Sequence, residues 1–290
     1  MSIKHPIIAV TGSSGAGTTT VMKSFQHIFR REKITPAVIE GDAFHRYDRK
    51  AMRVAMKEAE TRGDQNFSHF GPEANLLEAL KNTFRDYAAS GSGQVRKYLH
   101  DDAEAKPFAQ EPGTFTPWQD MEAGSDLLFY EGLHGGYADA RVNIAQHVDL
   151  LIGVVPIINL EWIQKLLRDK DTRGYTHDAV VGTILRRMPD YVNHMCPQFS
   201  RTHVNFQRVP TVDTSNPFIA RDIPTLDESM VVIRFTDPKG IDFPYLVNIL
   251  HGSMMTRPNN ILVPGGKMGL AMQMIFTPMI LRLMDLKRRA

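Results

Sequence analysis

Cysteine is almost absent from this sequence, since Cys196 is the only one among 290 residues. No disulfide can therefore form within the chain, and no pair of thiols can act as a redox switch. Long apolar runs are scarce too, and we expect no stretch to reach the ~18 to 20 apolar residues that a membrane span needs. The first strand pattern begins at residue 7, which leaves no room for a signal peptide. These features predict a cytoplasmic protein with no membrane partner.

An excess of one charge is also missing, because 34 basic residues face 32 acidic ones and the formal net charge is +2. No long basic block or aromatic-basic repeat is present, so the sequence predicts no nucleic-acid partner. Apolar residues are plentiful, at 42% of the chain. This content is enough for a sizeable core.

One glycine-bearing segment, IIAVTGSSGAGTTT at residues 7–20, organises the rest of the chain. Residues 12–19 have the spacing G-x-x-x-x-G-x-[ST], with an apolar strand pattern before them and an amphipathic helix pattern after them. In such a loop, backbone N–H groups and the N-terminus of the helix surround a phosphate. The alternative is a Gly/Ser turn that caps an ordinary helix. The residues expected to bind the nucleotide are Gly12, Ser13, Ser14, Gly15, Ala16, Gly17, Thr18, Thr19 and Thr20.

Thr18 occupies the position at which this loop normally carries a lysine. That lysine neutralises the β- and γ-phosphates, and loss of such a donor costs about 3 to 4 kcal/mol of transition-state stabilisation. Either another cation replaces the lysine, or the chain transfers no phosphoryl group. The positions of the other charged residues in the sequence are needed to distinguish these two alternatives.

Alternating strand and helix patterns predict an α/β fold. The loop and its helix connect two apolar strands in a βαβ unit, which implies a parallel sheet with a right-handed crossover. The strand patterns lie at residues 7–11, 37–40, 95–99, 127–130, 150–155, 208–212, 230–235 and 261–263. The further helix patterns lie at residues 48–62, 73–89, 160–170, 178–188, 243–250 and 268–286.

No internal repeat or low-complexity linker divides the chain. We therefore expect a single domain over residues 1–290. Its parallel core would cover roughly residues 1–215, and antiparallel strands with C-terminal helices would cover roughly 216–290.

Two carboxylates follow predicted strands and should lie beside the phosphate loop, because the carboxyl ends of parallel strands share one edge. Glu131 ends the LLFY strand, where it could hold Mg²⁺ together with Thr19. Asp42 ends the strand after the loop helix, where it could accept a proton from an acceptor hydroxyl. A surface glutamate and a locally bonded turn aspartate are the alternatives.

Two groups of cations accompany these carboxylates. His45 and Arg49 lie four residues apart, so on a helix they would share a face and could bind an anionic substrate. Lys165, Arg168 and Arg173 surround Asp169 in EWIQKLLRDKDTRGYT, and this group could supply the charge that Thr18 lacks. Solvated helix faces are the alternative for both groups. Asp169 could be a second metal ligand or could orient Arg173.

Several long segments together resemble the proteobacterial branch of the phosphoribulokinase family: GSSGAGTTT, EGDAFHRYDR, FYEGLHG, INLEWIQK, RDKDTRGYT, VVIRF and ILVPGGK. The resemblance covers nearly the whole chain, and in that branch threonine also replaces the loop lysine. It implies the three-layer P-loop kinase fold of nucleotide monophosphate kinases, with a mixed sheet that has a parallel core and an antiparallel extension. It also implies ATP-dependent phosphorylation of D-ribulose 5-phosphate at O1 in the Calvin cycle, with Mg-ATP as the donor.

The resemblance assigns roles to individual residues. Asp42 resembles the catalytic base, Asp169 a second essential acid, Lys165 a catalytic cation and Glu131 the carboxylate associated with the metal. The residues that resemble the sugar-phosphate contacts are His45, Arg49, Arg168 and Arg173. The metal set is then Thr19, Glu131 and Asp169.

The resemblance further implies a homo-oligomer, commonly an octamer, that NADH activates and AMP inhibits. Arg31, Arg234 and Arg257 are the candidate effector contacts, although ordinary surface or interface charges are the alternative. The plant branch is controlled by paired cysteines, a mode that the lone Cys196 excludes.

Two other functions stay open on the sequence. One is a uridine-kinase-like enzyme, which shares the loop and the strand-end aspartate but takes a neutral nucleoside. The number of cations near the acceptor favours a sugar phosphate instead. The other is a regulatory module that binds nucleotide without turnover.

Overall fold

The fold is described from a computed structural model of the chain. The structure describes residues 3–13, 18–155 and 157–290, without the side chains of residues 18–20, 172 and 173. Part of the phosphate loop, Ser14, Gly15, Ala16 and Gly17, therefore lies outside the described residues. The same holds for the side chains of Thr18, Thr19, Thr20 and Arg173.

Ten strands and eight α-helices are present in the described residues. The strands are β1 (Ile7–Gly12), β2 (Pro36–Glu40), β3 (Gln94–Val95), β4 (Gln119–Asp120), β5 (Leu127–Gly132), β6 (Leu150–Val155), β7 (Val204–Pro210), β8 (Ser229–Phe235), β9 (Met254–Arg257) and β10 (Asn260–Pro264). The helices are α1 (Thr18–Glu32), α2 (Arg49–Thr61), α3 (Leu77–Ser90), α4 (Asp102–Ala105), α5 (Ile158–Arg173), α6 (His177–Asp190), α7 (Phe243–Ile249) and α8 (Met268–Arg288).

Eight strands form one sheet in the order β2-β5-β1-β6-β7-β8-β10-β9. The first five strands are parallel to one another, and the pairs from β7 to β9 are antiparallel. Strands β3 and β4 form a separate two-stranded sheet. The predicted mixed sheet, with a parallel core and an antiparallel extension, is confirmed.

Helices cover both faces of this sheet, because alternate residues of the central strand point to opposite sides. Ile8 and Val10 pack with α1 and α8 on one face. Ile7 and Ala9 pack with α3 on the other face. All four of these side chains are fully buried. The result is the predicted three-layer arrangement, with β1 in the middle and the phosphate loop at its carboxyl end.

Several predicted boundaries differ from the structure. The helix predicted to begin at residue 73 begins at Leu77, because Pro72–Ala74 form a 3-10 turn. The strand predicted at 208–212 is Val204–Pro210. The strand predicted at 95–99 is only two residues long, and β9 has no counterpart in the sequence analysis.

Among the described residues, one helical segment, Gly265–Arg288, is long and apolar enough to cross a membrane by length and composition alone. The expectation that no run reaches this length is therefore wrong for this segment. Met272, Ile275 and Phe276 are buried in it and belong to the core cluster that α1 forms with the sheet. One face of the segment thus packs against the core of this fold.

Candidate active site

The carboxyl ends of β1, β2 and β5 meet at one edge of the sheet. The parallel register pairs Glu40 with Glu131, and Val10 also pairs with Glu131. The chain continues from Glu40 into a 3-10 turn, Gly41–Phe44, which carries Asp42. Asp42, Glu131 and the start of the phosphate loop are thereby brought to the same edge, as the sequence analysis expected of these strand ends.

Two glycines allow the main chains of β5 and the Asp42 turn to approach each other closely. A Cβ atom on Gly41 would lie 2.8 Å from the Cα of Gly132, and a Cβ on Gly132 would lie 2.6 Å from the Cα of Gly41. No side chain fits at either position. The close approach of the two main chains therefore explains why glycine follows both Glu40 and Glu131.

His45 lies between Asp42 and Asn75. Its Nε2 lies 3.2 Å from Asp42 Oδ1, and its Nδ1 lies 2.8 Å from Asn75 Oδ1. Burial alone would raise the pKa of the Asp42 carboxyl. The hydrogen bond and charge of His45, with the nearby His100 and His69, nevertheless hold this pKa well below its usual range. Asp42 is thus ionised, and its side chain remains 41% exposed toward the site.

His100 completes the surroundings of Asp42 from another segment of the chain. Its Nε2 lies 3.7 Å from Asp42 Oδ2. Arg49, at the start of α2, donates from Nη2 to the carbonyl of His100 at 2.8 Å. The structure therefore brings His45 and Arg49 to the same region, although Arg49 reaches Asp42 through the His100 loop. His100 was not among the predicted site residues and carries no local motif that would have revealed it.

Arg96 binds the main chain of the turn that carries Asp42. Its Nε donates to the carbonyl of Ala43 at 2.8 Å, and its Nη2 donates to the carbonyl of His45 at 2.7 Å. Its guanidinium carbon also lies 3.6 Å from the ring centre of Phe115 and 4.7 Å from that of Trp118. Sequence reasoning missed this contact, since it joins segments about 50 residues apart.

The second cationic group lies on α5. Lys165 Nζ and Asp169 Oδ2 are 2.5 Å apart, one helical turn from each other, and Arg168 Nε lies 3.2 Å from Asp169 Oδ1. Lys165 and Asp169 are buried. Burial and the nearby Arg187 lower the pKa of Lys165 to about 8, although Asp169 opposes this change.

Helix α5 lies against the start of the phosphate loop. Burial raises the pKa of Glu161, one turn before Lys165, and the neighbouring Ser13 hydroxyl, Arg187 and Lys165 oppose this change. Arg187 of α6 lies 5.0 Å from the Phe70 ring centre, and the charges of Asp169, Glu161 and Asp42 all act on it. Lys165 and Arg168 of α5 therefore lie on the same side of the molecule as Ser13 at the start of the loop. Glu161 and Arg187 were missed because both read as ordinary helix residues.

The predicted metal residues are only partly described. Glu131 is half-buried at the strand end, and Asp169 is buried with its two oxygens facing Lys165 and Arg168. The described part of the chain holds no group of three or more His, Cys, Asp or Glu side chains that could bind a metal ion. Such a group is not required for Mg²⁺, which usually keeps several waters and binds one or two carboxylates plus substrate phosphates. Glu131 beside the loop fits that pattern.

The three predicted effector arginines lie away from this site. Arg31, near the end of α1, donates to Glu32 at 2.7 Å and to Thr277 of α8 at 2.7 Å. Arg234 on β8 and Arg257 on β9 are both register partners of Asn260 on the intervening strand. The register therefore brings Arg234 and Arg257 near each other, whereas the described contacts of Arg31 are elsewhere.

An α/β sheet with this loop sequence after its central strand, and carboxylates at neighbouring strand ends, is typical of P-loop small-molecule kinases. Residues 7–215 match the family model described as "Phosphoribulokinase / Uridine kinase family". The chain is 66% identical over 290 residues to the chromosomal phosphoribulokinase of Cupriavidus necator, covering 100% of this chain and 99% of that protein. It is 63% identical over 290 residues to the phosphoribulokinase of Xanthobacter flavus, covering 100% of both chains.

A solved structure gives the same answer. The phosphoribulokinase from Rhodobacter spheroides has a TM-score of 0.91 and 55% sequence identity, and the match covers 99% of each chain. The chain belongs to the phosphoribulokinase / uridine kinase family. It is an enzyme that transfers a phosphoryl group, and the predicted family, fold class and kinase activity are confirmed.

Proposed function

We propose that this enzyme phosphorylates D-ribulose 5-phosphate at O1 with ATP, giving ribulose 1,5-bisphosphate and ADP in the Calvin cycle. The observation that carries the proposal is the 66% identity, over the full chain, to a protein named phosphoribulokinase. The cations around the Asp42 edge also suit an acceptor that already bears a phosphate.

In the proposed reaction, O1 of the sugar attacks the γ-phosphorus of ATP. The new O1–P bond forms as the bond to the β,γ-bridging oxygen breaks, and ADP leaves with that oxygen. Asp42 accepts the hydroxyl proton of O1. A strongly basic group is not needed, because the transition state of phosphoryl transfer is loose and little proton transfer precedes it. The low pKa of Asp42 is compatible with this role.

The cations have separate roles in this proposal. Lys165, Arg168 and Arg173 would stabilise the transferring phosphoryl group and replace the charge of the missing loop lysine. Arg49 contacts the phosphate of the sugar, and His45 contributes its positive charge to the binding of the same anion. Support for this division comes from the positions of the groups, since α5 lies beside Ser13 whereas His45 lies beside Asp42.

Mg²⁺ would neutralise the β- and γ-phosphates of ATP when bound, with Thr19 and Glu131 as its protein ligands. For Asp169, the contacts favour orientation of cations over metal binding. One oxygen faces Lys165 and the other faces Arg168, which keeps both cations in place. The backbone of residues 12–20 would hold the triphosphate.

A coupled assay tests the activity directly. ADP release is measured with Mg-ATP and either ribulose 5-phosphate or uridine as the acceptor. Turnover with the sugar phosphate alone is expected, with a kcat in the range of about 1 to 100 s⁻¹. Turnover with uridine alone would support the uridine-kinase-like alternative. ATP binding without turnover on either acceptor would support the regulatory module.

The remaining features of the proposal concern assembly and control. We infer a cytoplasmic enzyme that forms one domain and assembles into a homo-octamer, activated by NADH and inhibited by AMP. Arg31, Arg234 and Arg257 are the proposed effector contacts. The continuous sheet from β2 to β9 supports the single domain, and the register that brings Arg234 and Arg257 near each other supports a shared anion site for those two.

A further inference from the structure

Asn75 lies at a point of the fold where its amide can take only one orientation. Its Nδ2 donates to the carbonyls of His69 and Gly71, at 2.8 Å and 2.7 Å. An amide nitrogen has two hydrogens, so both donors are used. The oxygen of Asn75 must therefore face the Nδ1 of His45, which lies 2.8 Å away. Because the Asn75 oxygen can only accept, Nδ1 of His45 must carry a hydrogen and donate it.

The main chain prevents either residue from moving away. His45 and Asn75 form an antiparallel bridge. On its two sides, the N–H of Arg46 donates to Ala74 O at 2.8 Å and the N–H of Leu76 donates to Phe44 O at 2.7 Å. Both residues are buried, with 7% and 2% of their surface exposed. The pair is therefore a rigid part of the Asp42 turn.

The second nitrogen of His45 faces a carboxylate oxygen of Asp42 at 3.2 Å. A lone pair on this nitrogen would repel that oxygen, so Nε2 also carries a hydrogen when Asp42 is ionised. With acceptors on both sides, His45 is an imidazolium. We propose that Asn75 is a positioning residue, which keeps His45 doubly protonated and so fixes the positive charge beside Asp42 that binding of an anionic acceptor requires.

The other charged and titratable groups around His45 do not supply this effect. The ring of His69 lies 4.5 Å away and that of Tyr98 lies 6.4 Å away, and Arg187 and His100 are further neighbours. Burial and Arg187 disfavour the charged form of His45, whereas Asp42 and Asn75 favour it, and the pKa is raised on balance. Without Asn75, Asp42 alone would oppose the effects of burial and Arg187 on the pKa of His45.

Two variants at this position separate the proposed role from a purely structural one. Asn75→Leu and Asn75→Asp both lose the amide that donates to His69 and Gly71. Only Asn75→Asp keeps an acceptor oxygen for His45. A role in holding the backbone would make both variants equally defective. A role through His45 would keep the pKa of His45 high in the aspartate variant and lower it in the leucine variant, although both variants lose stability at the two carbonyls.

The first readout is the protonation of His45 in the free full-length protein. Histidine labelled with ¹³C at Cε1 is titrated by NMR, and the His45 signal is assigned by its loss in His45→Gln. The pKa of His45 should fall by about 1 to 2 pH units in Asn75→Leu and should stay or rise in Asn75→Asp. An unchanged pKa in Asn75→Leu would overturn the proposal. If the leucine variant does not fold, a fall in the aspartate variant would overturn it equally.

The second readout is the KM for the sugar phosphate, which rests on the proposed function. Relative to wild type at each pH, the KM of Asn75→Leu should rise about 10-fold between pH 6 and pH 8 as His45 loses its proton, with a smaller change in kcat. Equal KM values at both pH values would contradict the proposal. The NMR titration needs no substrate, so a wild-type enzyme without turnover on ribulose 5-phosphate would overturn only the proposed function.

Discussion

Arg96 and His45 are joined by a hydrogen bond from the guanidinium Nη2 to the main-chain carbonyl, at 2.7 Å. The same guanidinium reaches the carbonyl of Ala43, so it closes the turn that carries Asp42. Phe115 and Trp118 flank it, and such stacking of Arg on aromatic rings is favourable. The geometry of the strand-end turn thus depends on a residue that binds the main chain of that turn.

Arg96→Met should therefore loosen the Asp42 turn. The hydrogen bonds of a charged donor contribute about 1.5 to 3 kcal/mol each, and with two of them lost we expect the free energy of unfolding to fall by at least about 3 kcal/mol. We expect kcat to fall about 10-fold as well. Urea unfolding and steady-state kinetics measure the two effects. Arg85→Met is the matched control, because Arg85 is 56% exposed and pairs with the adjacent Asp86. A stability loss with unchanged kcat would mean that Arg96 does not position the turn.

Asp42→Asn removes the proposed base but keeps the shape of the side chain. General-base catalysis contributes about 10² to 10⁴ in rate, so kcat should fall by at least 10²-fold while the affinity for ATP stays nearly the same. Kinetics at saturating substrate and a nucleotide-binding titration check the two parts. Equal losses in kcat and ATP affinity would indicate a structural role.

Arg49→Ala tests the acceptor contacts. We expect a rise of about 10-fold or more in the KM for the sugar phosphate, because loss of a hydrogen bond to a charged group costs about 1.5 to 3 kcal/mol. The KM for ATP should change little. Arg62→Ala, an exposed position just after the end of α2, is the control. A change confined to the KM for ATP would contradict the role of Arg49 in sugar binding.

Lys165 predicts an alkaline limb in the pH profile. Burial lowers the pKa of Lys165 to about 8, so its charge is present below this pH and is lost above it. In the wild type, kcat/KM should fall about 10-fold for each pH unit above about 8, because kcat/KM reports the free enzyme. An arginine at this position keeps its charge at high pH. In Lys165→Arg the fall of kcat/KM above about pH 8 should therefore disappear, even if the maximal kcat/KM is lower than in the wild type. An unchanged limb in that variant would assign the ionisation to another group.

His134 predicts a loss of stability in acid. Burial lowers its pKa to about 4 in the folded protein, compared with the ordinary histidine pKa of 6.5 in an unfolded chain. Above pH 6.5 it is neutral in both states and contributes no pH dependence. As the pH falls from 6.5 toward 4, His134 binds its proton in the unfolded state but not in the folded state. The free energy of unfolding therefore falls by about 1.4 kcal/mol per pH unit.

The corresponding experiment compares urea unfolding at pH 7 and pH 5. In His134→Gln, whose amide can still donate toward Phe70, the loss of stability between these pH values should be smaller by about 2 kcal/mol. His251→Gln, at an exposed position, should lose as much as the wild type. A His134→Gln variant with the wild-type pH dependence would show that another buried group dominates.

The parallel core could be predicted from sequence because its strands are apolar runs that end abruptly in polar residues. Leu127–Gly132 and Leu150–Val155 are examples, with four and five buried residues in their first positions. Strand ends in a parallel sheet share an edge, so the placement of Asp42 and Glu131 at one edge could be predicted as well. The edge strand β9 could not be predicted, since all four of its side chains are exposed and no burial pattern marks it.

The residues that support the site were out of reach of sequence reasoning. Asn75, Arg96 and Arg187 each act on groups about 20 residues or more away, through contacts that only the folded chain creates. The helix predicted from residue 73 illustrates the same limit. Its apolar pattern was read correctly, but Asn75 pairs with His45 and delays the helix to Leu77.

The contact between Gly41 and Gly132 fixes the ends of the neighbouring strands β2 and β5 relative to each other. Because the main chains touch, a methyl group at either position would have to push β2 and β5 apart. Any such wedge would move the turn of Asp42 away from Glu131 without altering a single ionisable side chain. The spacing between the carboxylates of Asp42 and Glu131 therefore depends on the absence of a side chain at both Gly41 and Gly132.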